Sequence, residues 1–265
     1  MSNLDTIQTV GGLEIFMFGA LQDNYCYLVR DPDTNTTAVI DTPEVAPIEQ
    51  ALATSGWSLD YILNTHHHWD HAGGNLELKQ KTGCRVVGPR ADRDRIPGID
   101  IEVGDGDTFE LGSRVARVYD TPGHTRGHIC YHFDNDAVAF TGDTLFAMGC
   151  GRLFEGSAAQ MWNSLQKFLA WPDNTRVYCA HEYTQSNAHF ALTVEPGNED
   201  LVRRAAEVDR LRDAGQPTIP STIGLEKATN PFLRPTSAGL KTTLGMPDAD
   251  TVAVFAETRR RKDSF

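Results

Sequence analysis

No apolar run in the 265-residue chain approaches the roughly 18 residues that suggest a membrane span. A transmembrane helix, and with it a membrane partner, is excluded as an expectation. Cysteine is sparse: Cys26, Cys84, Cys130, Cys150 and Cys179 are odd in number, scattered and without a C-x-x-C pair. That excludes a disulfide framework and a thiolate zinc site, and leaves reduced thiols, with Cys150 and Cys179 read as small packing residues. Positive charge is also short, 24 Lys and Arg against 36 Asp and Glu for a net charge of −12. A nucleic-acid-binding surface would have to work against the protein's own field, so no nucleic-acid partner is expected. The first residues, Met1 to Asp5, carry none of the basic charge of a secretory leader. The expectation is a cytoplasmic protein. Internal repeats and low-complexity segments are likewise absent.

What is present is an ordinary globular composition, 40% hydrophobic and 23% charged, in a chain long enough for one large domain or two modest ones. Tyr25–Arg30 and Thr36–Asp41 read as strands joined by the turn formers Asp31-Pro32-Asp33-Thr34-Asn35. Val45, Ile48, Ala51 and Leu52 recur at helical spacing up to Gly56, and a strand at Tyr61–Asn64 follows. A short helix from Asn75 to Lys81 closes at Gly83 and leads to a strand at Arg85–Gly88. Residues 89–106 lack periodicity and read as surface loop. Thr108–Leu111, Arg114–Tyr119, Ile129–Phe133 and Ala137–Thr141 then form a strand-rich series. Ser157 and Gln160 form a capping box for a helix whose apolar face is Met161, Leu165, Phe168 and Leu169, and Arg176–Cys179 is a further strand. Beyond residue 183 no strand is evident. Asn198–Ala214, Thr222–Ala228 and Ala249–Arg261 read as helices. Two domains are therefore expected, 1–183 mixed α/β and 184–265 helical.

The stretch that carries chemistry is Thr65-His66-His67-His68-Trp69-Asp70-His71, with four potential metal ligands within six residues, directly after a strand. In extended chain His66 and His68 point the same way and can chelate one ion. Asp70 and His71, at the start of the next helix, are offset enough to serve a second. Three further segments place His124, Asp143 and His181 where strands end, and such loops hold functional side chains while leaving them accessible. Imidazole and carboxylate ligands suit Zn, Fe or Mn.

The run His66-His67-His68-Trp69-Asp70-His71 resembles the H-x-H-x-D-H motif of the metallo-β-lactamase superfamily, and Thr121–His128, Thr141–Phe146, Gly149–Gly156, Tyr178–Thr184, Asn230–Arg234 and the basic tail resemble, in order, the glyoxalase II (hydroxyacylglutathione hydrolase) family. The resemblance implies one metal held by His66, His68 and His124, a second by Asp70, His71 and His181, and Asp143 bridging them. Zinc is the expected ion, with iron or manganese as alternatives. It also implies a four-layered αββα sandwich followed by a helical domain, and hydrolysis of S-lactoylglutathione and related 2-hydroxyacyl thioesters in methylglyoxal detoxification; a monomer is expected. Two such ions lower the pKa of water to about 7 and stabilise attacking and leaving atoms. A bridging hydroxide would attack the thioester carbonyl, with Asp70 orienting it and a metal stabilising the oxyanion. Arg152, Tyr183, Asn187, Arg259 and Lys262 match family positions that contact glutathione, whose two carboxylates need local cations on an acidic protein. Arg152 stands where Lys is frequent, and Phe154 where a Tyr hydroxyl often contacts substrate; altered glutathione recognition is the expected consequence.

Other readings compete at several residues. His67 and His128 suit hydrogen-bonded support better than ligation, and His132 and His189 are structural. Trp69 reads as a wall or packing residue. The basic tail Arg259-Arg260-Arg261-Lys262 has an alternative as a solvated helix end favoured by the helix dipole, and Asn230–Arg234 reads as packing of the helical part. For the whole chain the rivals are a β-lactamase, a lactonase, a persulfide dioxygenase, or a metal-binding interaction protein without turnover. A thiol, with a pKa of about 8.5, leaves as thiolate without a proton donor, which favours a thioester over an amide.

Overall fold

A computed structural model describes residues 4–265. They divide into two compact units, one made of the residues up to Asp120 with Arg126–Gly142, the other of Thr121–Thr125 with Asp143–Phe265.

The first unit is built on a seven-stranded sheet in simple sequence order: β1 (Ile7–Val10), β2 (Leu13–Ala20), β3 (Asn24–Asp31), β4 (Thr36–Ile40), β5 (Tyr61–Leu63), β6 (Arg85–Pro89) and β7 (Ile99–Val103). The first four are antiparallel neighbours, and β4 to β7 run parallel. Helices α1 (Val45–Ser55) and α3 (Asn75–Thr82) are the crossovers, each closed by a left-handed glycine, Gly56 and Gly83. Cys26, Leu28, Val39 and Ile62 alternate along the strands to one face, where Ile48 and Leu78 of the helices bury them. The opposite face meets a second sheet of antiparallel neighbours in the order β11 (Val138–Gly142), β10 (Ile129–Phe133), β9 (Arg114–Asp120) and β8 (Thr108–Leu111). Tyr27 packs on Phe140 and Tyr61 on Phe109, with ring centroids 5.4 and 5.1 Å apart.

Two features of this unit depart from expectation. Residues 89–106 are not all loop, because Ile99, Ile101 and Val103 alternate with Asp100 and Glu102 to form β7. The two-residue period is masked by Pro97, Gly98 and the acids, and the pairing with β6 is irregular at Val86 and Val87. There Asp100 accepts the Val86 N–H at 2.8 Å, replacing a ladder bond. The hairpin β1–β2 is a second addition. Glu14 interrupts the apolar pattern, yet it lies at the sheet surface, paired with Arg30 at 3.2 Å.

In the second unit, α4 (Ala158–Leu169) has both halves of the Ser157–Gln160 capping box. Strand β14 (Arg176–Cys179) pairs antiparallel with β15 (Ser221–Thr222), which corrects the expectation of no strand beyond 183. Two residues are too few for any periodicity to register. A two-residue hairpin pair, β12 (Leu145–Phe146) and β13 (Gly149–Cys150), precedes α4. Helices α5 (Thr184–Val194), α6 (Glu199–Asp213), α7 (Ile223–Thr229), α8 (Ala238–Leu244) and α9 (Thr251–Asp263) complete the unit. The expected helices at 198–214, 222–228 and 249–261 are α6, α7 and α9. Helices α5 and α8 are additions to the expected set, the first masked in sequence because Gln185, Ser186, Asn187 and His189 break its apolar stripe. Ala188 and Ala191 of α5 pack on Leu201, Ala205 and Val208 of α6. Asn230–Arg234 packs this unit as expected: Phe232 is buried between Phe190 and Phe255, and Arg234 forks onto Glu195 with both bonds at 2.9 Å.

Candidate active site

The carboxyl ends of parallel strands are where α/β sheets present ligand-binding loops. In the first unit, Asp41 follows β4, the segment 64–68 follows β5, and Asp92 lies beyond β6. Helix α2 (Trp69–Ala72) then presents Asp70 and His71. Three hydrogen bonds tie this turn down: Asn64 Nδ2 and Thr42 N both donate to the His71 carbonyl, at 2.8 and 2.7 Å, and Asn24 Nδ2 donates to the Asp70 carbonyl at 3.1 Å.

Asp41 orients two of the imidazoles. Its Oδ2 accepts the Nδ1–H of His71 and the Thr65 hydroxyl, each at 2.8 Å, while its Oδ1 accepts the Thr65 N–H at 2.8 Å. With its proton given to Asp41, Thr65 Oγ1 is left to accept from His66 Nδ1 at 3.1 Å. Both imidazoles are thereby fixed as Nδ1–H tautomers with Nε2 bearing the lone pair, the carboxylate–histidine arrangement of metal sites. His66 Nε2 and His68 Nδ1 approach to 3.0 Å. Two lone pairs that close repel unless a proton or a cation lies between them. Gly142 lets His128 stack on His66, ring centroids 4.9 Å apart, since a Cβ there would lie 2.7 Å from both His128 Nε2 and Thr65 Oγ1.

His67 turns away as expected and pairs with Asp92 at 3.2 Å and Arg95 at 3.1 Å. His132 lies against Asp134, and His189 against Asp209. Trp69 is 68% exposed, which removes the packing reading.

The other three expected ligands lie in the second unit. His124 Nε2 lies 3.4 Å from Asp143 Oδ2, and His181 Nε2 lies 3.3 Å from Asp143 Oδ1, so two imidazoles address the two oxygens of one carboxylate. These separations exceed the common range of about 2.7–3.2 Å for an N–H···O bond. His124 donates its Nδ1–H to the Arg152 carbonyl at 2.9 Å, which again leaves the lone pair on Nε2. This donor chemistry of neutral imidazoles, backed by oxygen acceptors and grouped with carboxylates, fits divalent first-row ions.

Around His124, Asp143 and His181 lie the residues expected to meet substrate. The exposed Phe154 ring sits 5.1 Å from the His124 ring, and Tyr183 stacks on His181 at 4.8 Å with Phe146 edge-on to it at 5.4 Å. Arg152 is exposed. Lys262 donates to the Ser186 hydroxyl and carbonyl at 2.9 and 3.2 Å, and partial burial, reinforced by Arg259 and Arg152, pulls its pKa down to about 8. Arg259 is buried, donating to the Cys150 carbonyl at 2.8 Å and pairing with Asp263 at 2.8 Å, its guanidinium over the Phe232 ring. Asn187 is buried as well and donates to the Ala147 carbonyl at 3.1 Å. Lys262 and Arg259 are thus engaged with the protein, whereas Arg260 alone of the tail is a well-solvated end, paired with Glu257. Burial pushes the Cys150 thiol up to about 11 and the Cys179 thiol to about 12, in keeping with packing rather than nucleophilic roles.

Asp41, whose carboxylate holds His71 and Thr65, is the residue of the candidate site that the sequence pattern does not mark. Its signal was an acid closing an apolar strand before Thr42 and Pro43, at a residue whose φ of 57° turns the chain.

Two family models match the chain in succession. The family model described as metallo-beta-lactamase superfamily matches residues 21–181, and that described as hydroxyacylglutathione hydrolase C-terminus matches residues 182–265. The protein called hydroxyacylglutathione hydrolase in Maricaulis maris is 56% identical over 253 residues, covering 96% of this chain and 99% of the relative. The protein of that name in Methylococcus capsulatus matches to the same extent. Among solved structures, ETHE1 from Myxococcus xanthus shares the fold, with a TM-score of 0.65 at 24% identity over 95% of this chain and 99% of that one. Sequence relatives, family models and the expected metallo-β-lactamase fold with its helical C-terminal part agree: the chain belongs to the hydroxyacylglutathione hydrolase family.

Proposed function

We propose that this protein hydrolyses S-lactoylglutathione and related 2-hydroxyacyl glutathione thioesters to glutathione and a 2-hydroxy acid. The observation that carries the reading is Arg152, whose carbonyl orients His124 while its side chain lies exposed, near enough to Lys262 to repel its charge. One residue thus links a candidate ligand to a group of cations suited to the glutathione carboxylates. The ligand assignment follows the family motif: His66, His68 and His124 for one ion, Asp70, His71 and His181 for the other, and Asp143 for both. Zinc is the proposed ion, with iron or manganese as alternatives. When bound, such ions make hydroxide available near neutral pH and neutralise charge developing on a carbonyl oxygen.

The chain's own part is to bind and orient. Asp70, its main chain held by Asn24, orients the attacking water. Arg152 and Lys262 take the carboxylates, with Tyr183 and Asn187 beside them and Arg259 behind. Phe154 supplies an apolar surface and no hydrogen bond. The departing thiolate needs no proton donor. A catalytic domain ending near 183, a monomeric state and a cytoplasmic location complete the proposal, the last in keeping with five buried free cysteines. No helix among the described residues is long and apolar enough to cross a membrane. Elemental analysis of purified protein alongside an assay with S-lactoylglutathione tests the reading. Two metals per chain with hydrolysis are expected; bound metal without any thioester hydrolysis would sink it.

Lys262 gives a pH signature. Its folded pKa is depressed to about 8, so the free enzyme loses this cation as pH rises through that value. Substrate KM is expected to be flat below pH 8 and to climb above it. Lys262→Arg should abolish the climb by keeping its charge, and Lys262→Met should raise KM below pH 8 and converge with wild type above it. A wild-type KM that stays flat to pH 9.5, well past the value of about 8, would exclude Lys262 from substrate binding.

A further inference from the structure

We infer that Glu226 and Asn230, which lie in α7 and directly after it, are positioning residues that set the candidate metal ligands and the substrate cation together, through the β12–β13 hairpin. The inference rests on the thioester-hydrolase reading for its kinetic part only.

The hairpin Leu145–Cys150 is a pair of two-residue strands, with Leu145 opposite Cys150 and Phe146 opposite Gly149. So short a ladder has little stability of its own, and Met148 in its turn holds a left-handed φ of 53° without being glycine. Five consecutive residues are instead clamped from outside by buried side chains. Asn230 Nδ2 donates to the carbonyls of Phe146 and Gly149 at 3.1 and 3.0 Å. Asn187 donates to Ala147, and Arg259 to Cys150. Glu226 Oε2 accepts the Met148 N–H at 2.8 Å and lies 3.0 Å from Asn230 Nδ2, while its Oε1 accepts the Ser221 hydroxyl. Glu226 and Asn230 are 1% and 0% exposed. Burying a carboxylate and an amide is costly unless each is hydrogen-bonded, and a loop that merely connected two elements would need neither.

The ends of the hairpin show what the clamp controls. Asp143 lies two residues before Leu145, and Arg152 two residues after Cys150. Gly151 N donates to the Thr144 carbonyl at 3.3 Å, which brings the two flanks side by side. Arg152 in turn accepts from His124. A displaced hairpin therefore moves the carboxylate, the orientation of one imidazole and the substrate cation at once. Ligand-orienting groups of this kind commonly matter about tenfold to a hundredfold.

The test compares wild type with Asn230→Ala and Glu226→Gln, the latter keeping shape and one acceptor oxygen. Folding is monitored by circular dichroism and thermal melting. For each folded variant, kcat and KM for S-lactoylglutathione, the visible spectrum and affinity of bound cobalt(II), and the Kd of metal-free protein for glutathione are measured well below Tm. For Asn230→Ala we expect kcat and cobalt affinity to fall about tenfold or more, an altered cobalt spectrum and weaker glutathione binding. Smaller shifts in the same directions are expected for Glu226→Gln. Wild-type spectrum, metal affinity and glutathione Kd in a folded Asn230→Ala overturn the inference, as does a change in melting temperature alone. Should Asn230→Ala not fold, Glu226→Gln decides by the same criteria, and its failure to fold would assign both residues to stability. The cobalt and glutathione measurements need no turnover. A wild-type protein inactive on the thioester therefore sinks the functional reading while leaving the clamp to be judged separately.

Discussion

Substituting Asp143 by Asn is expected to lower kcat/KM for the thioester by about a thousandfold, the several kcal/mol of charge stabilisation that a bound ion supplies. The change keeps the side chain's shape, so the fold has no reason to suffer. It removes a negative charge that His124 and His181 address from either side, at 3.4 and 3.3 Å. The new amide nitrogen would face an imidazole Nε2 and could donate to the lone pair a metal needs. One half of the ligand chemistry is replaced by a hydrogen bond. Elemental analysis should show fewer than two metals per chain, with the circular dichroism spectrum unchanged. A variant that keeps both metals and the wild-type rate would remove Asp143 from the bridging role.

The parts of this site that the sequence discloses are those encoded by neighbours. His66, His68, Asp70 and His71 stand out because chelation requires close spacing, and β3, β4, α1 and α4 because their periodicity or caps are local. The parts that stayed hidden depend on contacts distant in sequence. Asp41 reaches His71 across 30 positions, and Arg259 reaches Cys150 across 109. An acid ending a strand, or an arginine in a basic tail, looks the same whether it faces water or a buried carbonyl. The tail shows the ambiguity: Arg260 is solvated, whereas Arg259, next to it, is 5% exposed and stacked on Phe232. The edge strand β7 was obscured differently, by acids that serve a strand's exposed face and a missing ladder bond. Helix α5 was obscured by polar residues, of which Ser186 and Asn187 are occupied by Lys262 and Ala147.

Gly151→Ala is expected to be nearly as damaging as loss of Asp143, although the residue has no side chain to contribute. A Cβ built at Gly151 would lie 2.0 Å from the Asp143 carbonyl oxygen and 3.1 Å from His124 Nδ1. The first contact is with backbone, so no flexible side chain can yield; either the Asp143 main chain or the segment 151–152 has to move. Movement of the first displaces a carboxylate addressed by two imidazoles. Movement of the second lengthens the His124 to Arg152 bond, now 2.9 Å, that holds the imidazole tautomer. Misplacement of reacting groups by about 1 Å can cost a hundredfold, and a loss of that order in kcat is the expected result, together with weaker metal retention on dialysis. Gly197→Ala is the control: a Cβ there meets nothing within 4 Å, and its kcat should match wild type. A Gly151→Ala protein with wild-type kcat and metal content would show that this close approach has no part in holding the site.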